Sequence, residues 1–167
     1  MPVPEPPVTL REARWPDQRD ELQAVRRRVF IEEQGVPEQD EWDDADARAR
    51  HVLAVDGRSA APVGTGRLEP GGKIGRVAVL APHRGAGIGA AIVRRLVNHA
   101  TELGYEAVYL HSQTAAAGFY RRLGFQAEGP VFEEVGIPHV RMRLGIEPRN
   151  GHGSGRNGDE GDSHDAR

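Results

Sequence analysis

Seven consecutive residues, Arg84-Gly85-Ala86-Gly87-Ile88-Gly89-Ala90, combine a cation, three glycines at alternate positions and the start of a helical pattern. That combination can hold an anion. The first N–H groups of a helix have no intrahelical partner, and the helix dipole favours negative charge there. Glycines let the backbone approach a bulky phosphate, and an arginine adds a charge-assisted contact. An ordinary strand-to-helix loop could use the same glycines and bind nothing.

Two nucleotide folds fit these residues poorly. Gly85 to Ala90 satisfies the dinucleotide fingerprint G-x-G-x-x-A, but Pro82-His83-Arg84 intervenes between strand and first glycine. The next strand candidate, Ala107-Val108-Tyr109-Leu110-His111, ends in histidine where that fingerprint expects an acid, and Glu106 sits at its beginning. A Walker loop requires Gly-Lys-Ser/Thr, whereas Gly89 is followed by Ala90-Ala91.

The loop needs a strand before it and a helix after it. Lys73 to Val79 supplies the strand, and Pro82 ends it because proline has no N–H for a ladder bond. Ile88, Ile92, Leu96, Val97, Ala100 and Leu103 form one helical face, with Arg94, Arg95, Asn98 and Glu102 opposite and Gly104 as the stop. Upstream, a strand over Val8 to Ala13 precedes a helix that Asp17 can cap, with Leu22, Val25 and Val29 inward and Arg26, Arg27 and Arg28 on a solvated face. Ala49 to Val55 and Pro62 to Leu68 read as paired strands. Downstream come Ala107 to Ser112, a short helix over Ala115 to Leu123 capped by Thr114, and strands over Gln126 to Val131 and Pro138 to Leu144. This order describes an α/β chain with a mixed sheet, not strict βαβ alternation.

Between helix and second strand, residues 37–50 carry Glu38, Asp40, Glu41, Asp43, Asp44 and Asp46 around Trp42. The spacing matches no calcium loop. The segment reads as a solvated loop, or as a flap whose carboxylates attract an amine. Residues 1–7 read as a loose lead-in, 8–146 as one domain, and 147–167 as a disordered tail with almost no apolar residues.

With 22 basic and 25 acidic residues the charge is nearly balanced, and no basic patch points to nucleic acid. No run reaches the roughly 20 apolar residues of a membrane span, and no signal peptide is visible, so a cytoplasmic protein is expected. Zero cysteines remove disulfides, thiolate metal ligands and a cysteine nucleophile. No H-E-x-x-H pair suggests zinc, and His51, His83 and His99 read as structural or exposed.

The glycine loop resembles the R/Q-x-x-G-x-G/A pyrophosphate loop of the GCN5-related N-acetyltransferases, and Phe119-Tyr120-Arg121-Arg122-Leu123-Gly124-Phe125 resembles that family's F-Y-x-x-L-G-F signature. The likeness covers roughly residues 8–144. Arg28 to Pro37 and Gly136-Ile137-Pro138-His139 are similar to the ElaA/YjcF-type branch. The resemblance implies a central mixed β-sheet flanked by helices, and direct transfer of an acetyl group from acetyl-CoA to an amine. It implies that the backbone from Arg84 and Gly85 through Ala86, Gly87, Ile88 and Gly89 to Ala90 holds the pyrophosphate. It also implies that the Val77-Ala78-Val79 strand pairs with the pantetheine arm, like an added strand.

Tyr120 occupies the tyrosine of the second signature and is the candidate general acid, since a phenol is protonated at pH 7 and can donate to a departing thiolate. A core tyrosine packed between helix and sheet is the plainer alternative. Gln113 falls where many family members place an asparagine on the cofactor, and it can also cap the turn. For the base, His111 comes first, because an imidazole moves protons near neutral pH, and Glu33 second. Glu133, Glu134 and His139 flank the last hairpin, and with His111 and Glu33 they suggest an acceptor site lined by carboxylate and imidazole. The acceptor is expected to be a small-molecule amine or a peptide N-terminus, with a cationic small molecule favoured by the carboxylates. Homodimers are common in such folds, although no residue here marks one. A CoA-binding sensor without turnover and a dinucleotide-dependent oxidoreductase are the rival expectations.

Overall fold

The structure, a computed structural model, describes residues 8–147, so the expected lead-in over 1–7 and the tail beyond Glu147 lie outside the described residues. The elements follow in the order β1 (Thr9–Ala13), α1 (Trp15–Arg26), α2 (Glu38–Glu41), β2 (Arg50–Val55), β3 (Pro62–Leu68), β4 (Ile74–Val79), α3 (Ile88–Glu102), β5 (Ala107–Gln113), α4 (Ala117–Arg122), β6 (Gln126–Glu134) and β7 (Ile137–Gly145). A π-helical segment, Arg27–Glu33, continues α1. Among the described residues no helix is long and apolar enough to cross a membrane.

Strands β1-β2-β3-β4 make one antiparallel sheet and β5-β7-β6 a second. They touch through one parallel bridge, Lys73 to Tyr109, where the Tyr109 N–H donates to the Gly72 carbonyl at 3.0 Å. Beyond that bridge no ladder joins β4 to β5 among the described residues. The β4 edge facing β5 therefore has no strand partner along most of its length, which is what an extended ligand requires for strand-like pairing.

Helix α3 covers the first sheet and opens the wedge. Ile92 and Leu96 are fully buried, each contributing about 1.5–3 kcal/mol by burial. They lie close because β3 carries Gly66, where a Cβ would stand 2.7 Å from Ile92 Cγ2 and 3.0 Å from Leu96 Cδ1. At the helix end Gly104 adopts φ 80°, and the Tyr105 N–H donates to the Ala100 carbonyl at 3.0 Å, the expected stop. Leu103, expected on the apolar face, is the C-cap and is 42% exposed.

Two expected caps are absent. Helix α1 begins at Trp15 with Arg14 as N-cap, three residues before the start that an Asp17 cap implies, so Asp17 lies inside the first turn beside Pro16, whose fixed φ suits that position. Thr114 opens a 3₁₀ turn before α4 and makes no capping hydrogen bond. Strand β6 also runs past the expected Val131 to Glu134, resuming after a bulge between Glu128 and Phe132. Its tight turn into β7 is Val135-Gly136, with φ 47° and 75°. That extension brings Glu134 into the sheet.

The arginine run and the acidic segment differ most from expectation. Arg26 is 1% exposed, not solvated, and its guanidinium meets Glu41 Oε2 at 2.8 Å and Asp46 Oδ1 at 2.7 Å. Arg67 reaches Asp43 and Asp46 at 2.8 Å, and Arg76 Nε lies 2.9 Å from Glu41 Oε2. Glu41 and Asp46 are buried. Segment 37–50 is therefore tied down from below by three arginines, and half-buried Trp42 stacks against Arg26 and Arg27. A run of acids reads as solvated only when its partners, 15 to 35 residues away in sequence, are unknown.

Candidate active site

The wedge between the sheets contains two adjoining cavities. The first, about 510 Å³, is bounded by Val77, Ala78 and Val79 of β4, by the loop from Arg84 to Ala90 except Ala86, and by Phe119 and Tyr120 of α4. Gly87 is the α3 N-cap with φ 81°, a left-handed conformation that glycine adopts without steric cost. Nothing lies within 4 Å of where a Cβ would stand on Gly85 or Gly87, so this face of the loop is open for a bulky anion. Gly89 is different, for a Cβ there would meet the Phe119 ring at 3.4 Å. His83, expected to be structural or exposed, also lines this cavity.

Arg84 is held at the loop by two contacts. Its Nε donates to the Val79 carbonyl at 2.9 Å and its Nη2 to the Glu33 carboxylate at 3.1 and 2.8 Å. Glu33, the second candidate base, thus faces the phosphate loop from the end of the π-helical segment and lines neither cavity. Its geometry suits orienting Arg84 and not deprotonating an acceptor.

The second cavity, about 440 Å³, is lined by Gln34, Lys73, His111, Gln113, Glu134 and His139, among others. Gln113 lies here, donating to Gln34 Oε1 at 2.7 Å, and not in the cavity by the glycine loop. Val77, Ala116 and Tyr120 line both cavities, so the two meet beside the tyrosine.

Tyr120 is positioned by its own signature. Gly124 has φ 97°, which turns the chain so that the Phe125 N–H donates to the Tyr120 carbonyl at 3.1 Å. Phe119 and Phe125 pack edge-on against its ring at centroid distances of 4.9 and 5.8 Å. Burial pushes the phenol up to about 12, so it stays protonated.

His111 and Glu134 meet across the second sheet. His111 Nδ1 lies 3.1 Å from Glu134 Oε1, and a carboxylate oxygen only accepts, so Nδ1 carries a proton, and in the neutral form of the ring Nε2 is the acceptor. His139 Nε2 lies 3.7 Å from Glu134 Oε2, while its Nδ1 donates to the Ile137 carbonyl at 2.6 Å. Burial opposes the charge of Glu134, but the hydrogen bond from His111 and the pull of His111, His139 and Lys73 outweigh it. The carboxyl is held below its ordinary range. The sequence grouped His111, Glu134 and His139 with Glu33 and Glu133, and the structure brings the first three together while Glu33 faces Arg84. Lys73 and Gln34 carried no signal, since a lone lysine after a glycine pair and a glutamine at a helix end are ordinary surface residues.

This geometry has relatives. A family model described as Acetyltransferase (GNAT) domain matches residues 19–146. YjcF of Bacillus subtilis (strain 168), described as an uncharacterized N-acetyltransferase, is 36% identical over 120 residues, 71% of this chain and 86% of that protein. Two crystal structures superpose at a TM-score of 0.73. Escherichia coli ElaA is 27% identical, and an acyl-CoA N-acyltransferase from Pseudomonas aeruginosa is 30% identical. Each alignment covers 82% of this chain and 99% of the other. A family model spanning most of the chain, a curated relative of this identity, and a wedge floored by the expected glycine loop agree, and the chain belongs to the GNAT acetyltransferases, in their ElaA/YjcF-like branch.

Proposed function

We propose that this acetyltransferase takes its acetyl group from acetyl-CoA and passes it directly to an amine. One observation carries the reading: a cavity against the glycine loop and a cavity containing an imidazole–carboxylate pair open onto the same tyrosine. The open faces of Gly85 and Gly87, the unpaired N–H groups at the start of α3 and the cation of Arg84 fit a pyrophosphate. The free edge of β4 fits an extended pantetheine arm. The thioester supplies the activated acyl carbon.

The chain's residues then divide the proton work. Neutral His111, held in one tautomer by Glu134, accepts a proton at Nε2 from the acceptor ammonium and leaves the amine nitrogen a free lone pair. As the new C–N bond forms and the C–S bond breaks, Tyr120 gives its proton to the sulfur. The acylated nitrogen gives its remaining extra proton to the phenolate through solvent, amide and free thiol leave, and His111 returns its proton to solvent, the one proton that the overall reaction releases. No cysteine is present to carry an acyl intermediate, which favours direct attack.

Calorimetric titration with acetyl-CoA, against an NADPH control, tests the cofactor. Thiol release across an amine panel tests turnover. Tyr120→Phe should bind acetyl-CoA as the wild type does and lose about 10²-fold or more in kcat. Full activity in that variant would remove the phenol from the mechanism, and binding without thiol release from any amine would favour a sensor.

A further inference from the structure

The acceptor cavity looks acidic by composition, yet its carboxylates are already partnered. Glu41 contacts Arg26 and Arg76, Asp43 contacts Arg67 and Arg76, Glu69 contacts Arg67, and Glu134 contacts His111 and His139. A cationic acceptor would find Glu41, Asp43 and Glu69 already paired with arginines, and only Glu134 and the exposed rim residue Asp40 without a cationic contact among the described residues. Lys73 is the opposite case. It lines the same cavity and is half-buried, and its ammonium makes no hydrogen bond or ion pair among the described residues. Its charge reaches Glu134 without contact.

The fold also aims Lys73 correctly. Its neighbour Ile74 is buried in the core, so Lys73 takes the opposite face of the strand. It bridges Tyr109, and His111 lies two residues along β5 on the Tyr109 face, where half-buried side chains alternate with the buried Val108, Leu110 and Ser112. One inter-strand step and two residues of rise put the Lys73 and His111 Cα atoms about 8 Å apart. A lysine side chain can cross most of that distance. The free cation thus stands within a small molecule's length of the imidazole that takes the amine's proton.

We infer that Lys73 binds a carboxylate carried by the acceptor, which makes the acceptor an amino-acid-like amine and not a simple polyamine. The inference rests on the amine-acetylation reading above. A carboxylate fits better than a phosphate, because one free ammonium balances one negative charge, and a dianion would be repelled by Asp40, Glu69 and Glu134 around it.

The test uses acetyl-CoA with matched acceptors: α- and ω-amino acids, the amines left by their decarboxylation, and aminoalkyl phosphates of the same chain length. The wild type should show its lowest KM with a carboxylate-bearing member. Lys73→Met should raise that KM by about tenfold or more, the worth of a hydrogen bond to a charged group. It should leave the KM of the decarboxylated partner and the Kd of acetyl-CoA unchanged, and Lys73→Arg should restore most of the loss. Preference of the wild type for the decarboxylated amine or the phosphate would overturn the inference, as would an equal rise in both KM values. Either result would leave acetyl transfer standing. A wild type that binds acetyl-CoA and releases no thiol with any of these amines would overturn both.

Discussion

Arg26→Met probes the buried ion network beneath the acceptor cavity. The arginine is 1% exposed and donates from Nε to Glu41 Oε2 at 2.8 Å, from Nη1 to Asp46 Oδ1 at 2.7 Å, and from Nη2 to the Glu41 carbonyl at 3.0 Å. Methionine fills much of the same space and donates nothing. Glu41 retains Arg76 at 2.9 Å and Asp46 retains Arg67 at 2.8 Å, so neither carboxylate is orphaned. Breaking a buried pair from one side costs about 3–5 kcal/mol, and the surviving partners place the expected loss near the lower end, about 3 kcal/mol. For a chain of this size that corresponds to a Tm lower by about 6–12 °C. Urea unfolding followed by circular dichroism, with a thermal melt alongside, measures both. Arg26→Met/Asp46→Leu leaves Arg67 and Arg76 balanced by Glu41 and Asp43, and should recover at least about 0.5 kcal/mol relative to additivity. A loss below about 1 kcal/mol for the single variant, or strict additivity in the double, would refute the claim that these charges hold segment 37–50 in place.

Gly87→Asn should fold and bind acetyl-CoA within a few-fold of wild type, since asparagine tolerates the φ of 81°, whereas Gly87→Glu should fold yet lose cofactor binding by calorimetry. Unchanged affinity in the glutamate variant would remove the loop from the site. The Tyr120 phenol, raised to about 12, should stay an effective acid where an ordinary phenol at ~10 begins to fail, so kcat should show no phenolic alkaline limb below pH 10. The neutral buried phenol contributes fully below the unfolded value of ~10, and that contribution is lost as pH rises towards about 12. Denaturant midpoints of wild type and Tyr120→Phe should therefore shift relative to one another between pH 9 and 11. Val135, a β-branched residue at φ 47° and 44% exposed, is strained in its turn, so Val135→Asn should gain about 1 kcal/mol in a urea melt. A loss there would mean that its cavity contacts outweigh the backbone strain.

The sequence alone determined whatever depends on neighbours in the chain. The glycines between β4 and α3, the apolar face of α3, the stop at Gly104 and the Tyr120–Phe125 signature are local patterns, and each requires its residues within a turn or two of one another. Periodicity and turn chemistry therefore disclosed the strand, the glycine loop and the helix start that bound the first cavity. The tertiary structure decided what depends on distant partners. His111 and Glu134 are 23 residues apart and meet only because β7 pairs with both β5 and an extended β6. Arg84 and Glu33 are 51 residues apart, and their contact places the second candidate base beside the glycine loop. The acidic run over 37–50 reads as a solvated loop, or as an amine-attracting flap, because Arg26, Arg67 and Arg76 are invisible as its partners until the chain folds. Charge read along a chain counts every side chain as free. Burial and pairing then cancel much of it, leaving Lys73 as a cation without a contact of its own in the second cavity, and only three-dimensional contact determines which charges are paired.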